Sequence, residues 1–475
     1  MPFDENYFNS KEFRELLNNY EASIKAGEYP FMDADDLVDI ADYYNHLDRT
    51  EEANEVIDYA LQLYPGSTLP NVFKARQALM NDNYEAAQHY SDCIESQDDP
   101  DYHYLQAEML IAKHHIEEAD RYLHDYEKRI DPDEYQDFIK DCANLFFDYG
   151  ENEKAYEWLM YSRGDDSEDF KELMGNLLIR IEQYEEAETY FKELIDRNPY
   201  SFTYWKTLAG IQLIREDYPN AITSSEYAIA INPTDPDALL TKGNALLNME
   251  NYKEAEVFFR RYAKSRPDDE AGFFYIGVCL VNQGKYQEAL EALLQAEELG
   301  DSDSPICMLI YRELAFCYSS LKQPQQALEQ LNKIGKQSDD PNMLSVIKGH
   351  ILLENGQTEE AEKVWQEAMI NSNCSAEIML RIVVSLYDNR YVEACYEILK
   401  RVCEYYKDDE ATIGHAYSYM ALCTYDLGRH EEFLHYLKLT VEKYPKEAKS
   451  VLGFLFPAGE EVSDYYNFMN NKIKK

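Results

Sequence analysis

NPTDPDALLTKGNALLNMENYKEAEVFFRRYAKSRP, residues 232–267, decides the fold. Asp235 stands where a side-chain oxygen caps the free amides of a first helical turn. Pro236 takes the first helical position, where a missing N–H costs nothing. Leu239, Gly243, Leu246 and Leu247 recur every three to four residues, the apolar stripe of an amphipathic helix ending near Met249. Asn251 and Tyr252 make a turn, and Lys253 opens a second helix that buries Ala255, Phe258, Phe259 and Tyr262 before Pro267 stops it. Such an antiparallel hairpin has apolar residues on both outer sides, so it needs further hairpins stacked against it.

The chain supplies them. An anchor residue recurs as Ala53, Ala87, Ala119, Ala155, Ala187, Ala221, Ala255, Ala289, Ala327, Ala361, Ala394 and Phe433. Twelve residues before each stand Ala41, Ala75, Ala107, Ala143, Gly175, Ala209, Gly243, Gly277, Ala315, Gly349, Ile382 and Ala421. Eleven of these twelve are alanine or glycine. A position kept so small lets two helix backbones approach closely. Four residues after the anchor come large apolar side chains such as Ile57, Phe191, Phe259, Trp365 and Ile398, with Ser91 and Ser225 the polar exceptions. Pro65, Pro199, Pro233, Pro267 and Pro445 close their units twelve residues after the anchor, and Tyr84, Tyr184, Tyr252 and Tyr286 precede it in the turn.

These marks resemble the tetratricopeptide repeat, a helix–turn–helix unit with a period of about 34 residues. The resemblance covers residues 33–445, and the family's tryptophan is present once, as Trp205. It implies an all-α, right-handed superhelical solenoid of about twelve units with helical caps at both ends. RNA-reading pentatricopeptide arrays are opposed by the acidic composition, and HEAT-type repeats need a longer period. The expected segments are an N-terminal cap (1–30), four acidic units (31–166), a regular centre (167–300), four further units (301–445) and a C-terminal cap with an amphipathic tail (446–475). Phe8, Phe13, Leu16, Leu17, Tyr20 and Ile24 would cover the open start. Val462, Tyr465, Tyr466, Met469 and Ile473 would close the end; alternatively the tail, residues 458–473, pairs with a second copy of the chain or folds into the groove. The regularity breaks in SRGDDSED (162–169), in DSDSP (301–305) and near residue 407; at the first of these the second helix of the fourth unit stops early, which gives a shortened helix pair with an exposed acidic turn or, alternatively, a bend.

Lysine and arginine number 45 against 91 aspartates and glutamates, a net charge of −46. This surface repels nucleic acid and anionic lipid. Residues 1–150 alone hold 35 acidic and 11 basic side chains, so a basic partner could use that end. The opening MPFDE lacks the features of a signal peptide, and no apolar run is long enough to span a membrane, so a cytoplasmic protein is expected. Nine cysteines without a CxxC fit reduced, buried thiols.

No catalytic motif is present: GxGxxG, GxxxxGK and GxSxG are all absent. His430 and His435 lie five apart, off the shared helix face that zinc needs. His103, His114, His115 and His124 read as surface residues, and pairs such as Glu117-Glu118 as helix starts favoured by the helix dipole. No enzyme, cofactor or metal is expected.

The resemblance puts the first helices of successive units along a concave groove that takes peptides. Positions three before, one after and five after the small residue would face it. They give Arg76, Lys140, Asn144, Asn176, Arg180, Lys206, Asn244, Asn248, Asn282 and Arg312, with Tyr104, Phe274 and Phe316 as apolar contacts. Asparagine there can hold a peptide backbone, and the cations would either pair with the neighbouring carboxylates Glu172 and Asp148 or meet acidic side chains of the peptide. Lys242-Gly243-Asn244 resembles part of the clamp of co-chaperone repeats, but Leu240 and Tyr275 stand where that clamp needs lysine and asparagine. The expected function is a non-enzymatic scaffold binding a protein or peptide in the groove. The alternative is a regulator whose superhelix changes curvature on binding a small peptide or metabolite.

Overall fold

The computed structural model describes residues 5–8, 10–301, 304, 306–335, 340–457 and 459–473. Part of the opening MPFDE, most of DSDSP and the first residue of the 458–473 tail lie outside the described residues. The chain divides into two compact units, Met1–Arg215 and Glu216–Lys475. Their boundary falls inside the segment 167–300 that repeat spacing groups together.

In the first unit, α1 (Glu5–Phe8) and α2 (Lys11–Lys25) precede five hairpins. These are α3 (Ala34–His46) with α4 (Thr50–Leu63), α5 (Thr68–Met80) with α6 (Tyr84–Cys93), α7 (Pro100–Ala112) with α8 (Ile116–Glu127), α9 (Tyr135–Asp148) with α10 (Asn152–Tyr161), and α11 (Glu168–Arg180) with α12 (Tyr184–Arg197). Then α13 (Phe202–Ile214) closes the unit. The second unit opens on α14 (Tyr218–Ile231). Its hairpins are α15 (Pro236–Asn248) with α16 (Tyr252–Ser265), α17 (Glu270–Asn282) with α18 (Tyr286–Leu299), α19 (Cys307–Ser320) with α20 (Pro324–Ile334), α21 (Pro341–Glu354) with α22 (Thr358–Asn371), α23 (Ala376–Asp388) with α24 (Val392–Tyr405), and α25 (Glu410–Asp426) with α26 (His430–Lys443). It ends with α27 (Pro445–Leu452) and α28 (Tyr465–Ile473). The described residues form an all-α repeat solenoid without strands.

The quoted stretch folds nearly as read. Asp235 accepts a hydrogen bond from the Ala238 amide at 2.9 Å, and Pro236 begins the helix. Tyr252 is the first residue of its second helix and not part of the turn. Between the two, Glu250 adopts φ +60°, and the Asn251 amide donates to the Leu246 carbonyl at 2.9 Å. This left-handed closure satisfies carbonyls that the ending helix leaves free. The same turn recurs five residues before each anchor, using glycine at 150, 284, 356 and 428 and a bulkier residue elsewhere, such as Glu182 and Lys322.

That ruler corrects one anchor. Arg390 has φ +67°, so the anchor is Cys395, fully buried, whereas Ala394 is exposed. Its partners become Val383 and Leu399, both fully buried, in place of Ile382 and Ile398, and the Cys395 thiol donates to the Val383 carbonyl at 3.3 Å. The four residues added after it extend α25 to 17 residues and make no loop.

The anchors and the small residues opposite them are the core. Ala53, Ala87, Ala155, Ala255 and Phe433 are completely buried. A Cβ added at Gly243 would lie 2.5 Å from Phe259, and one at Gly175 would lie 2.9 Å from Phe191. One at Gly349 would collide with Trp365. Alanine stands at other crossings, as in Ala143 with Leu159 and Ala75 with Ser91, whereas Gly277 faces Leu293, where an added Cβ would lie 2.5 Å from that side chain. Each crossing is closely packed.

Both ends are covered within the chain. Phe13 and Tyr20 of α2 are buried against Leu37, Ile40 and Ala41 of α3, while Ile24 is 39% exposed and contributes little. Tyr465 and Met469 of α28 pack with Phe433 and Leu437 of α26, and Phe456 stacks on Tyr465 with centroids 3.6 Å apart. The shortened helix expected at 162–169 is present, because α10 has ten residues and Ser167 caps α11. Among the four histidines read as superficial, His103 is the exception. It is buried, stacked on Tyr126 at 3.7 Å, with Nδ1 2.6 Å from the Tyr122 hydroxyl.

Gly243→Ala should destabilise the second unit by about 1–3 kcal/mol through overpacking. Adding Phe259→Leu should recover much of that loss by recreating an alanine–leucine pairing like that of Ala143 and Leu159. Urea unfolding of the two variants measures both effects, and an unchanged midpoint for the single variant would show that the ring yields freely.

Candidate binding groove

First helices follow one another along one side of the first unit, and their exposed positions line two adjoining hollows. One, of about 680 Å³, lies among Phe8, residues of α3 and α5, and Asp101 of α7. The next, of about 640 Å³, lies among α5, α7 and α9. Arg76, Met80 and Asp101 line both, so the hollows form a continuous groove.

Repeat position explains most of the lining. Asp42, Arg76, Glu108 and Asn144 each follow the small residue by one, and His46, Met80 and Asp148 follow it by five. Val38, Val72 and Tyr104 precede it by three. Sequence reading missed Asp39, Phe73 and Asp141, two before the small residue, and Tyr149, six after it. A helix turns 100° per residue, so these positions border the inward-facing row and reach the groove from its sides.

Charge is distributed otherwise than expected. The Arg76 guanidinium is paired with the Glu108 carboxylate at 2.7 Å and is therefore satisfied within the wall. Lys140 turns out of the hollow to Asp137 at 3.0 Å and Asp165 at 3.9 Å. Pairing with chain carboxylates, one of the two alternatives, is what these two cations do, although their partners are Glu108, Asp137 and Asp165 and not Glu172 or Asp148. Tyr104 donates to Asp141 at 3.1 Å, and Tyr149 donates to Glu108 at 3.2 Å. Burial raises the carboxyls of Asp42, Asp101, Asp141 and Asp148 above their ordinary range. Neighbouring acids add to this, Asp99 beside Asp101 and Glu108 beside Asp148. These side chains touch solvent yet sit in a concavity crowded by protein, which withholds part of their hydration.

The remaining expected groove residues are placed as follows. Arg180 lies over the Phe147 ring at 3.6 Å and donates to the Phe147 carbonyl at 2.5 Å. Asn176 is half-buried on α11, and the Lys206 ammonium lies 5.4 Å from the Phe202 ring centroid. In the second unit, the Asn248 amide donates to the Asn244 carbonyl and the Asn282 amide to the Val278 carbonyl, each at 2.9 Å. Those asparagines finish their own helices. Phe274 is buried in the core and offers the groove no surface, a departure from the expectation. Phe316 is 49% exposed, with its ring edge toward Tyr286, and Arg312 is 3.7 Å from Glu313. No cluster of His, Cys, Asp and Glu among the described residues could hold a metal ion, and no helix there is long and apolar enough to cross a membrane.

Comparison with known proteins agrees with the repeat pattern. A family model described as tetratricopeptide repeat matches residues 173–236, and one described as anaphase-promoting complex, cyclosome, subunit 3 matches residues 215–296. The chain is 28% identical over 97 residues to cilia- and flagella-associated protein 70 of Homo sapiens, covering 20% of this chain and 9% of that protein. It is 22% identical over 240 residues to anaphase-promoting complex subunit 7 of Dictyostelium discoideum, covering 50% of this chain and 34% of that protein. The matches thus span about a third or less of these curated relatives. A solved tetratricopeptide repeat protein from Parabacteroides merdae is 17% identical, with a TM-score of 0.40, covering 53% of this chain and 98% of that one.

The raised carboxyls set a pH dependence. Between its ordinary and its raised pKa each group binds more protons folded than unfolded, so its contribution to stability falls as pH rises through that window. Asp42→Asn with Asp148→Asn should therefore raise the melting temperature at pH 7, with the gain shrinking as pH drops through the raised pKa values toward the ordinary carboxylate value. Thermal scans from pH 7 to pH 4 check this, and a gain that is constant over that span would contradict it.

Proposed function

We propose that this chain, a tetratricopeptide-repeat protein, is a non-enzymatic scaffold that binds a protein or peptide partner along the groove of its first unit. Proteins built of such repeats generally serve as interaction scaffolds. The observation that carries the reading to this face is the continuity of the two hollows lined by α3, α5, α7 and α9. Apolar and hydrogen-bonding groups alternate there, Val72, Met80 and Leu145 beside Asn144 and Gln77, as a peptide-binding surface requires. The matched family model and one relative bear the names of anaphase-promoting complex subunits, which fits a role within a protein assembly. The free, mostly buried cysteines fit a reducing, cytoplasmic compartment. The C-terminal tail remains a candidate for self-association only through its outer side, since its apolar side packs on α26.

Blocking the groove should abolish binding. Met80→Glu with Asn144→Trp should lower partner capture about tenfold or more, a loss of about 1.4 kcal/mol or more in affinity. Glu85→Arg with Glu153→Arg, on exposed starts of α6 and α10, should leave capture in place. Quantitative pull-down with helical circular dichroism as the folding control measures this, and undiminished capture by the groove variant would move the site elsewhere.

A further inference from the structure

The groove has an apolar floor and acidic walls. Val38, Leu69, Val72 and Phe73 line the first hollow, and Met80, 85% exposed, projects where the two hollows meet. A thioether so exposed in a concavity is a ready contact for an apolar side chain, since methionine adapts its shape at little cost. Around this floor stand six carboxylates, from Asp39, Asp42, Asp101, Glu108, Asp141 and Asp148. Among the described residues, Arg76 is the one lysine or arginine lining the hollows, and its charge is already taken by Glu108.

Resting on the scaffold reading above, we infer that the occupant is a segment of a partner protein in which an apolar side chain is flanked by lysine or arginine. The apolar side chain seats on Phe73 and Met80, and the cations reach Asp101, Asp141 and Asp148. Asp101, Asp141 and Asp148 are crowded by protein in the concavity and so incompletely hydrated before binding, and an incoming cation recovers interaction that water does not fully supply. The raised carboxyls of Asp101, Asp141 and Asp148 are the mark of that underhydration. An acidic segment would face the carboxylates uncompensated. A nucleic acid would meet the same repulsion without finding an apolar partner for its phosphates.

The test uses the full chain and three fluorescent peptides of equal length and identical leucine positions, whose remaining positions are all lysine, all glutamine or all glutamate. Binding is read by anisotropy, and the site by hydrogen exchange. The lysine peptide should bind and protect α5, α7 and α9. Asp101→Asn, Asp141→Asn and Asp148→Asn together should weaken it about tenfold or more, or about 1.4 kcal/mol. Glu85→Gln, Glu117→Gln and Glu153→Gln remove the same charge from exposed second-helix starts and should change binding less than about twofold. Equal weakening by both triple variants would reduce the effect to bulk charge and overturn the proposal. So would spermine binding as tightly as the lysine peptide, because the apolar floor would then play no part. Equal protection of those helices by the glutamine or glutamate peptide would overturn the cationic partner while leaving the groove reading intact. Binding without protection of α5, α7 and α9 would remove both.

Discussion

Everything in this molecule depends on how closely the two helices of a hairpin approach at one point. Opposite Phe259 the first helix has no room for even a Cβ, so residue 243 is glycine. Opposite Leu159 there is room for one, and residue 143 is alanine. The contents of the crossing vary from hairpin to hairpin, and each is closely packed, as where Gly277 faces Leu293 with no space for a Cβ. Because the point recurs about every 34 residues, each hairpin repeats the placement of its predecessor within a unit. The outward rows of the first helices are consequences of that placement.

Legibility follows from the same cause. A position that tolerates only glycine or alanine leaves a visible mark, and so the repeat, its period and most anchors can be read from the residues alone. The failure at Ala394 is instructive, since in that unit the crossing is filled by Cys395 and Val383 and small size no longer marks it. The turn five residues earlier would have given the right register, but its left-handed conformation is carried by Arg390, as it is by Glu250 and Lys322 elsewhere. None of these side chains signals such a conformation, because the Schellman-type hydrogen bonds impose it from the flanking helix. Backbone geometry here is set by tertiary context, and only where the chain uses glycine does the sequence disclose it.

The groove was legible by position and less so by chemistry. Offsets of one and five from the small residue put Arg76, Asn144 and Asp148 on the lining of the hollow, whereas Asp141 lies outside those offsets because the wall is broader than one row of side chains. Of the two roles open to the conspicuous cations, Arg76 and Lys140 take pairing within the chain. In a chain with 91 acidic and 45 basic side chains, a partly buried lysine or arginine is surrounded by carboxylates and becomes paired, as Arg76 and Lys140 are. The asparagines of α15 and α17 likewise spend a donor on their own helices. In a strongly charged protein, the groups left with unmet demand belong to the majority sign.

That asymmetry bears on why the first unit tolerates carboxylates where hydration is incomplete. A groove selected for stability alone would replace Asp42 or Asp148 with neutral residues, which fit the same space at neutral pH with less electrostatic cost. Local cost carried at a concave, partly apolar surface is the pattern of a site whose favourable interactions are completed from outside. The small-residue crossings and their buried side chains meet their own requirements within each hairpin. The carboxyls of Asp42, Asp101, Asp141 and Asp148 carry a burial cost instead, and a cation beside an apolar contact is what the proposed partner would bring to offset it.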